Sequence, residues 1–470
     1  MTEDLAYLPA TEALRLFRAR ELSPVELLTA VIARAEKTEP QVNSHAEQTF
    51  EEALAQAKEA ENAYLPGGSP GALTGLPVAT KEEQPIAGRR TCEGSLAYAD
   101  HIADITHPAV ERILAAGGIV HARTTTPEFC CASFTHSKLW GVTRNPWNLE
   151  YSPGGSSGGS GAALASGTAT LATGSDIGGS IRLPASATGT VGYKPPYGRV
   201  PALPPMNLDH YCHDGPMART VADCALLQNV IVGPHPGDVV SLRPAVYIPS
   251  ELGDVSGMRI AVAVNLGDWV IDPEITANTL AVAEALRAAG AVVEEVEVGL
   301  KRAEVWRAAL IHFGGIFGPA VAQIAAEQGD LLTPYAHAFA RETAIEPGDF
   351  LDGLELEGRI YAPIGALLER YDALICPTTA TPALTAGEDY IDTRLVINGV
   401  ELDHYMEYAL TPVFNIASRC PVLSVPSGRA SNGVPTGVQV VGSSYDDATV
   451  FHVGAAIERV RPWSFRPESL

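Results

Sequence analysis

Residues 151–186 read YSPGGSSGGSGAALASGTATLATGSDIGGSIRLPAS. Two ends dense in glycine and serine bracket a run of small apolar residues. Ser156 stands inside GGSSGG and Ser180 inside DIGGSIR. At both places glycines let the backbone approach a ligand closely and turn amide N–H groups toward it.

Four readings of this stretch compete. A flexible linker has this composition, but it would not normally carry Asp176, Ile177, Ile181 and Arg182 at its end. A phosphate-binding loop needs GxxxxGK[ST] or GxGxxG, and neither occurs here. Gly154-Gly155-Ser156-Ser157-Gly158 matches the G-x-S-x-G elbow of α/β-hydrolases, yet the elbow needs a buried strand before its serine. Asn145 to Pro153 is loop chemistry instead. The fourth reading joins both serines to a lysine. The amides of residues 177–179 form an oxyanion hole beside the Ser180 hydroxyl, which needs a base. Lys81 ends the apolar run LPVAT and can serve if its surroundings lower its pKa. The flanking Glu82 and Glu83 oppose this if they point inward, and a solvated surface charge is the plain alternative for a lysine at a strand end.

Around this stretch the chain reads as alternating α/β. Ser23-Pro24-Val25-Glu26 is a capping box that opens a helix through about residue 37, and a second helix covers 50–63. A strand over 76–80, a helix over 108–117 and a strand over 118–122 follow. Residues 161–172 predict a buried small-residue helix. Residues 258–264, 273–289 and 292–298 repeat the strand–helix–strand rhythm, which argues crossover helices on a sheet. Residues 300–370 read as mostly helical, and 373–376, 422–425 and 437–442 as buried strands. The expected architecture is one large α/β domain over 1–470, a central mixed sheet with helices on both faces and a helical excursion near 300–370 over the site.

Bulk properties narrow the function classes. A net charge of −23 makes a nucleic-acid partner unfavourable. No apolar run reaches the ~18 residues of a membrane span. The acidic, amphipathic start lacks the basic and apolar regions of a signal peptide. Seven scattered cysteines without CxxC pairs fit free thiols, so a cytoplasmic protein is expected. His210, Cys212, His213 and Asp214 in HYCHD have metal-ligand chemistry, but no second cluster supports them and an ordinary loop is preferred. Trp306, His312, Phe313 and Phe317 recur at near-helical spacing and read as core or pocket lining.

Lys81 with 154–160 (GGSSGGS) and 174–182 (GSDIGGSIR) closely resembles the amidase signature family. Further matching stretches are LSPVELLTAVIARAE, GLPVATK, TPEF, NPWN, GYKPPYGRV, GPMARTVADCALL, ICPTTATPA, FNIASRCPVLSVPSG and GVPTGVQVVG. The resemblance implies a Ser–cis-Ser–Lys triad: Ser180 as nucleophile, Ser156 as proton relay through a cis bond from Gly155, and Lys81 as base. It further implies oxyanion binding by the amides of Ile177, Gly178, Gly179 and Ser180. Asp176 and Arg182 would hold that loop, Ser157 would orient Lys81, and Cys130 would line the substrate site. The implied reaction cleaves linear amides through an acyl-enzyme, with aryl amides, esters or carbamates as further small-molecule substrates. No metal or organic cofactor is required, and a monomer or homodimer is expected. The alternative is the glutamine-hydrolysing component of a tRNA amidotransferase, its A chain. The sequence departs from the family pattern at Glu82-Glu83, where Asp-Asn is frequent, and at Ala122-Arg123-Thr124-Thr125, where Gly-Lys-Thr-Asn is usual.

Overall fold

The computed structural model describes residues 2–346, 348–463, 466–468 and 470. Its frame is an eleven-stranded mixed sheet. In chain order the strands are β1 (His45–Gln48), β2 (Pro77–Lys81), β3 (Ile119–Thr124), β4 (Leu171–Asp176), β5 (Val191–Lys194), β6 (His213–Ala218), β7 (Arg259–Val262), β8 (Val292–Glu295), β9 (Ala373–Pro377), β10 (Val422–Arg429) and β11 (Pro435–Gly442). Across the sheet they run β1-β3-β2-β4-β6-β5-β10-β11-β9-β7-β8. Parallel pairs (β2 with β3 and β4, β7 with β8 and β9) flank an antiparallel centre.

Period-two alternation sends neighbouring residues of a strand into the two largest buried clusters, one on each face. On β9, Ala373 and Ile375 face the core that takes in Val31, Ile113, Val282 and Phe451 from the helices Pro24–Val42, Pro108–Ala115, Pro273–Ala288 and Asp447–Val460. Leu374 and Cys376 face the other core, with Phe313, Phe339 and Ile360 from Arg302–Ile316, Pro334–Glu342 and Asp349–Leu368. Helices therefore cover both faces of one sheet, as expected for the α/β class. Among the described residues no single helix is long and apolar enough to cross a membrane. Arg302–Ile316 and Gly318–Leu331 pass that test only as a pair bent by 62°.

Local signals explain the element ends. Ser23 Oγ accepts from the Glu26 amide while the Glu26 carboxylate accepts from Ser23 N–H, the reciprocal cap the sequence predicts. The small-residue helix is shorter than expected. It spans Gly158–Ser166 and stops at Gly167, whose φ of +75° only glycine adopts cheaply. Residues 171 and 172, expected at the helix end, instead open β4 (Leu171–Asp176), where a sheet position between β2 and β6 overrides local helix propensity. That strand delivers Ser175 and Asp176 to the edge of the site.

Candidate active site

Lys81 ends β2 with its side chain fully buried. Its Nζ donates to Ser156 Oγ at 2.8 Å and to Ser175 Oγ at 2.8 Å, and lies 3.4 Å from Glu83 Oε1. Its backbone N–H donates to Thr173 Oγ1 (3.1 Å), so the lysine is clamped from the same face of β4 by residues two apart. A further chain runs from Thr173 to Gln84 (2.5 Å), Asp214 (2.6 Å) and His107 (3.3 Å).

The carboxylates after Lys81 divide their work. Glu82, buried, accepts from the amides of Cys92 (2.6 Å) and Glu93 (2.9 Å) and fastens that loop. Glu83 turns toward the lysine and lines the cleft. Burial by itself pulls the Lys81 pKa down, but neighbouring charge outweighs it and the net direction is up. Cys130 is a thiol at neutral pH, because burial pushes its pKa up to about 12. The charge that holds Lys81 protonated is therefore that of Glu83, backed by Asp214. This corrects the expectation of a lysine with a lowered pKa: the salt-bridging carboxylate overcomes desolvation.

Residues 177–180 form the turn between β4 and the helix Arg182–Thr188. Asp176, wholly buried, holds it by accepting from the N–H groups of Gly179 (2.8 Å) and Ile181 (3.2 Å). Arg182 returns two hydrogen bonds to Asp176 (2.9 and 2.8 Å) and reaches Thr411, Gln439 and Asn415. Burial raises the Asp176 pKa, but Arg182 and then Asn415 more than reverse this and hold it well below the carboxylate range. Because Gly179 spends its N–H on Asp176, the amides of this turn left without an acceptor among the described residues are those of Ile177, Gly178 and Ser180. Gly179 takes φ +129°, and a Cβ there would run into the Thr411 side chain, whose hydroxyl donates to Gly178 O at 2.6 Å. Among the described residues the Ser180 hydroxyl has no hydrogen-bond partner, and Ser180 is 8% exposed.

The Gly155–Ser156 peptide bond is cis. Among the described residues no hydrogen bond joins Ser157 to the Lys81 ammonium; its hydroxyl exchanges bonds with the Ser175 backbone at 3.3 Å. The second hydroxyl on the lysine is Ser175, which sequence reasoning missed. Its signal was the alternation along β4, which puts Thr173 and Ser175 on one side.

Two cavities meet at these residues. A large cleft of about 650 Å³ reaches Glu83, Glu93, Ser156 and Ser175, and a small apolar pocket of about 40 Å³ reaches Gly178, Ser180, Trp306 and Phe313. Cys130, Ile177 and Phe317 line both. Phe129 and Cys130 both take positive φ (50° and 54°), which places backbone strain at the junction. The stretch 302–342 supplies Trp306, Phe313, Phe317 and Phe339 to the small pocket's lining.

His312 is buried, in line with the core reading of its spacing, but its partners are polar. Its Nε2 lies 2.6 Å from Asp209 Oδ1, and its ring stacks on Tyr211 at 3.6 Å. Asp209, His210 and His312 bring ligand atoms within 4.8 Å of one another. His210 and Tyr211 also bond Glu357 (3.2 and 2.8 Å), so a metal would enter only by displacing these pairings. His213 of HYCHD is turned away, buried on β6 against the carbonyls of Tyr211 and Ser418.

A family model for amidases matches residues 26–451. The chain is 34% identical to the A component of the glutamyl-tRNA(Gln) amidotransferase of Thermosynechococcus vestitus, covering 94% of this chain and 96% of that one. It is 32% identical to an acylamidase of Rhodococcus erythropolis over 99% and 98% of the two chains. Among solved structures, a bacterial aryl acylamidase superposes with a TM-score of 0.89 at 28% identity, over 97% of each chain. A match of this extent shows common descent along the whole sheet, and the chain belongs to the amidase signature family, whose enzymes hydrolyse C–N bonds of amides.

Proposed function

We propose that this protein is a stand-alone hydrolase of linear amides, acting also on aryl amides, esters or carbamates, with Ser180 as nucleophile, Ser156 as relay and Lys81 as base. The observation that carries the reading is the buried Lys81 Nζ to Ser156 Oγ hydrogen bond of 2.8 Å beside a turn with uncommitted amides. As Ser180 Oγ bonds to the carbonyl carbon, its proton passes to Ser156 and the Ser156 proton to neutral Lys81. The carbonyl oxygen gains charge against the N–H groups of Ile177, Gly178 and Ser180. When the tetrahedral intermediate collapses, the C–N bond breaks. Nitrogen keeps the electron pair and takes a proton from Ser156, which Lys81 reprotonates. Water then releases the acid by the reverse transfers.

Likeness to the A component of an amidotransferase supports a second reading, glutamine hydrolysis within a multi-chain complex. The acyl part of glutamine carries an ammonium and a carboxylate, whereas among the described residues no charged side chain lines the small pocket beside Ser180. That favours the stand-alone reading, with a small-molecule substrate and no tRNA. The free cysteines support a reducing cytoplasm as its place, as a monomer or homodimer.

The test is turnover of simple anilides by the purified chain with hydroxylamine present. A hydroxamate product that disappears in Ser180→Ala supports the nucleophile; a Ser180→Ala enzyme at wild-type rate refutes it. Glutaminase activity that emerges only with a second chain would establish the other reading.

A further inference from the structure

The two cavities are unequal in size and chemistry, and each catalytic serine lines a different one. Ser180 opens on the small pocket and Ser156 on the large cleft, while Cys130, Ile177 and Phe317 stand where they join. Resting on the proposed function, in which Ser156 protonates the leaving nitrogen, this separation orients the substrate. We infer that the acyl group enters the small pocket and the amine portion occupies the large cleft, so that the enzyme takes N-substituted amides of short, uncharged acyl groups and bulky amines.

The orientation follows from the tetrahedral carbon. One of its substituents is the new Ser180 oxygen and another is the oxyanion at the amides of Ile177, Gly178 and Ser180. The leaving nitrogen must come within hydrogen-bond reach of Ser156 to accept its proton, and Ser156 faces the large cleft. The remaining substituent, the acyl chain, is left to the small pocket.

Relative size then assigns the two portions. At about 40 Å³ against about 650 Å³, the pocket beside Ser180 takes the smaller one, which the inference sets at short acyl groups from acetyl to butyryl. Trp306, Phe313, Phe339, Met406 and Leu183 wall it, and a longer acyl group would have to displace these side chains, of which Trp306, Phe339 and Met406 also line a further cavity of about 350 Å³. The cleft, at about 650 Å³, is large enough for a drug-sized group. Glu83, Glu93, Asp104 and Asp214 line it and no lysine or arginine does, so an amine portion bearing a carboxylate is disfavoured against a neutral or cationic one.

The test is a kcat/KM matrix. Anilides with acetyl, butyryl, hexanoyl, octanoyl and benzoyl groups vary the acyl side. Primary acetamide, N-benzylacetamide and acetanilides bearing a carboxylate or an ammonium vary the amine side. The inference expects a fall of roughly tenfold or more from butyryl to octanoyl, and primary acetamide well below acetanilide. It also expects Phe339→Ala to raise the octanoyl-to-acetyl ratio; Met406→Ala makes the same test if the first variant does not fold. Octanoyl and benzoyl anilides turned over as well as acetanilide by the wild type would overturn the orientation while leaving the hydrolase reading intact. An enzyme that cleaves no amide in the matrix would overturn both.

Discussion

Glu83 Oε1 lies 3.4 Å from Lys81 Nζ, inside the cluster that also holds Ser156 and Ser175. A carboxylate at that distance favours the ammonium form, so the base of the proposed relay rests protonated and becomes competent only as pH rises.

Replacing this carboxylate by its neutral isostere tests the relationship. In Glu83→Gln the opposing charge is gone and burial dominates, so Lys81 loses its proton at lower pH. The rising limb of the pH profile of kcat/KM should move toward acid, measured with an anilide at constant ionic strength. A limb that stays in place would show that Glu83 does not govern the lysine.

Ser175→Ala removes one of the two hydroxyls on the ammonium while Ser156 remains. Hydrogen bonds to charged groups contribute about 1.5–3 kcal/mol, corresponding to roughly ten- to hundredfold in rate if the bond positions the base. The fall should show in kcat rather than KM, and thermal unfolding should change little by comparison. An unchanged kcat would reduce Ser175 to a bystander.

Arg182→Met leaves the Asp176 carboxylate buried without its partner. Breaking such a pair costs about 3–5 kcal/mol, to be read from urea unfolding. The pH dependence follows from the depressed Asp176 pKa. Its contribution to wild-type stability is full above the usual carboxylate value of 3.8 and is lost as pH falls through the lower folded-state value. In the variant that acid-side loss should shrink. A variant with wild-type stability and acid profile would contradict this role for the pair.

Gly179→Ala places a methyl group on backbone at φ +129° and against Thr411. Strain of this kind costs about 1–3 kcal/mol, and it should disturb the Gly178 carbonyl that Thr411 holds. Both the unfolding midpoint and kcat should fall. Retention of both would mean the turn is far softer than its packing suggests.

Much of the fold was legible because its signals are local. The Ser23–Glu26 cap, Pro108 and Pro273 at helix starts, and the apolar runs at 76–80 and 373–376 each act within a few residues. The missed strand β4 is rich in Ala, Thr, Gly and Ser, whose strand preference is weak beside pairing with β2 and β6. Helical spacing placed His312 in the core, where it is buried, but spacing reports only a face and could not name its partner, Asp209, 103 residues away.

By itself the sequence determined the family and the glycines that let the turn close on itself, and it named Lys81, Ser156 and Ser180 as candidates. Only the tertiary structure decided what surrounds them: Glu83 and Ser175 on Lys81, Asp176 on the Gly179 amide, and one serine facing each cavity. The reason is physical. Those outcomes depend on which side chains from β2, β4 and the 302–342 helices share a buried volume, and burial multiplies the effect of every charge and hydrogen bond inside it.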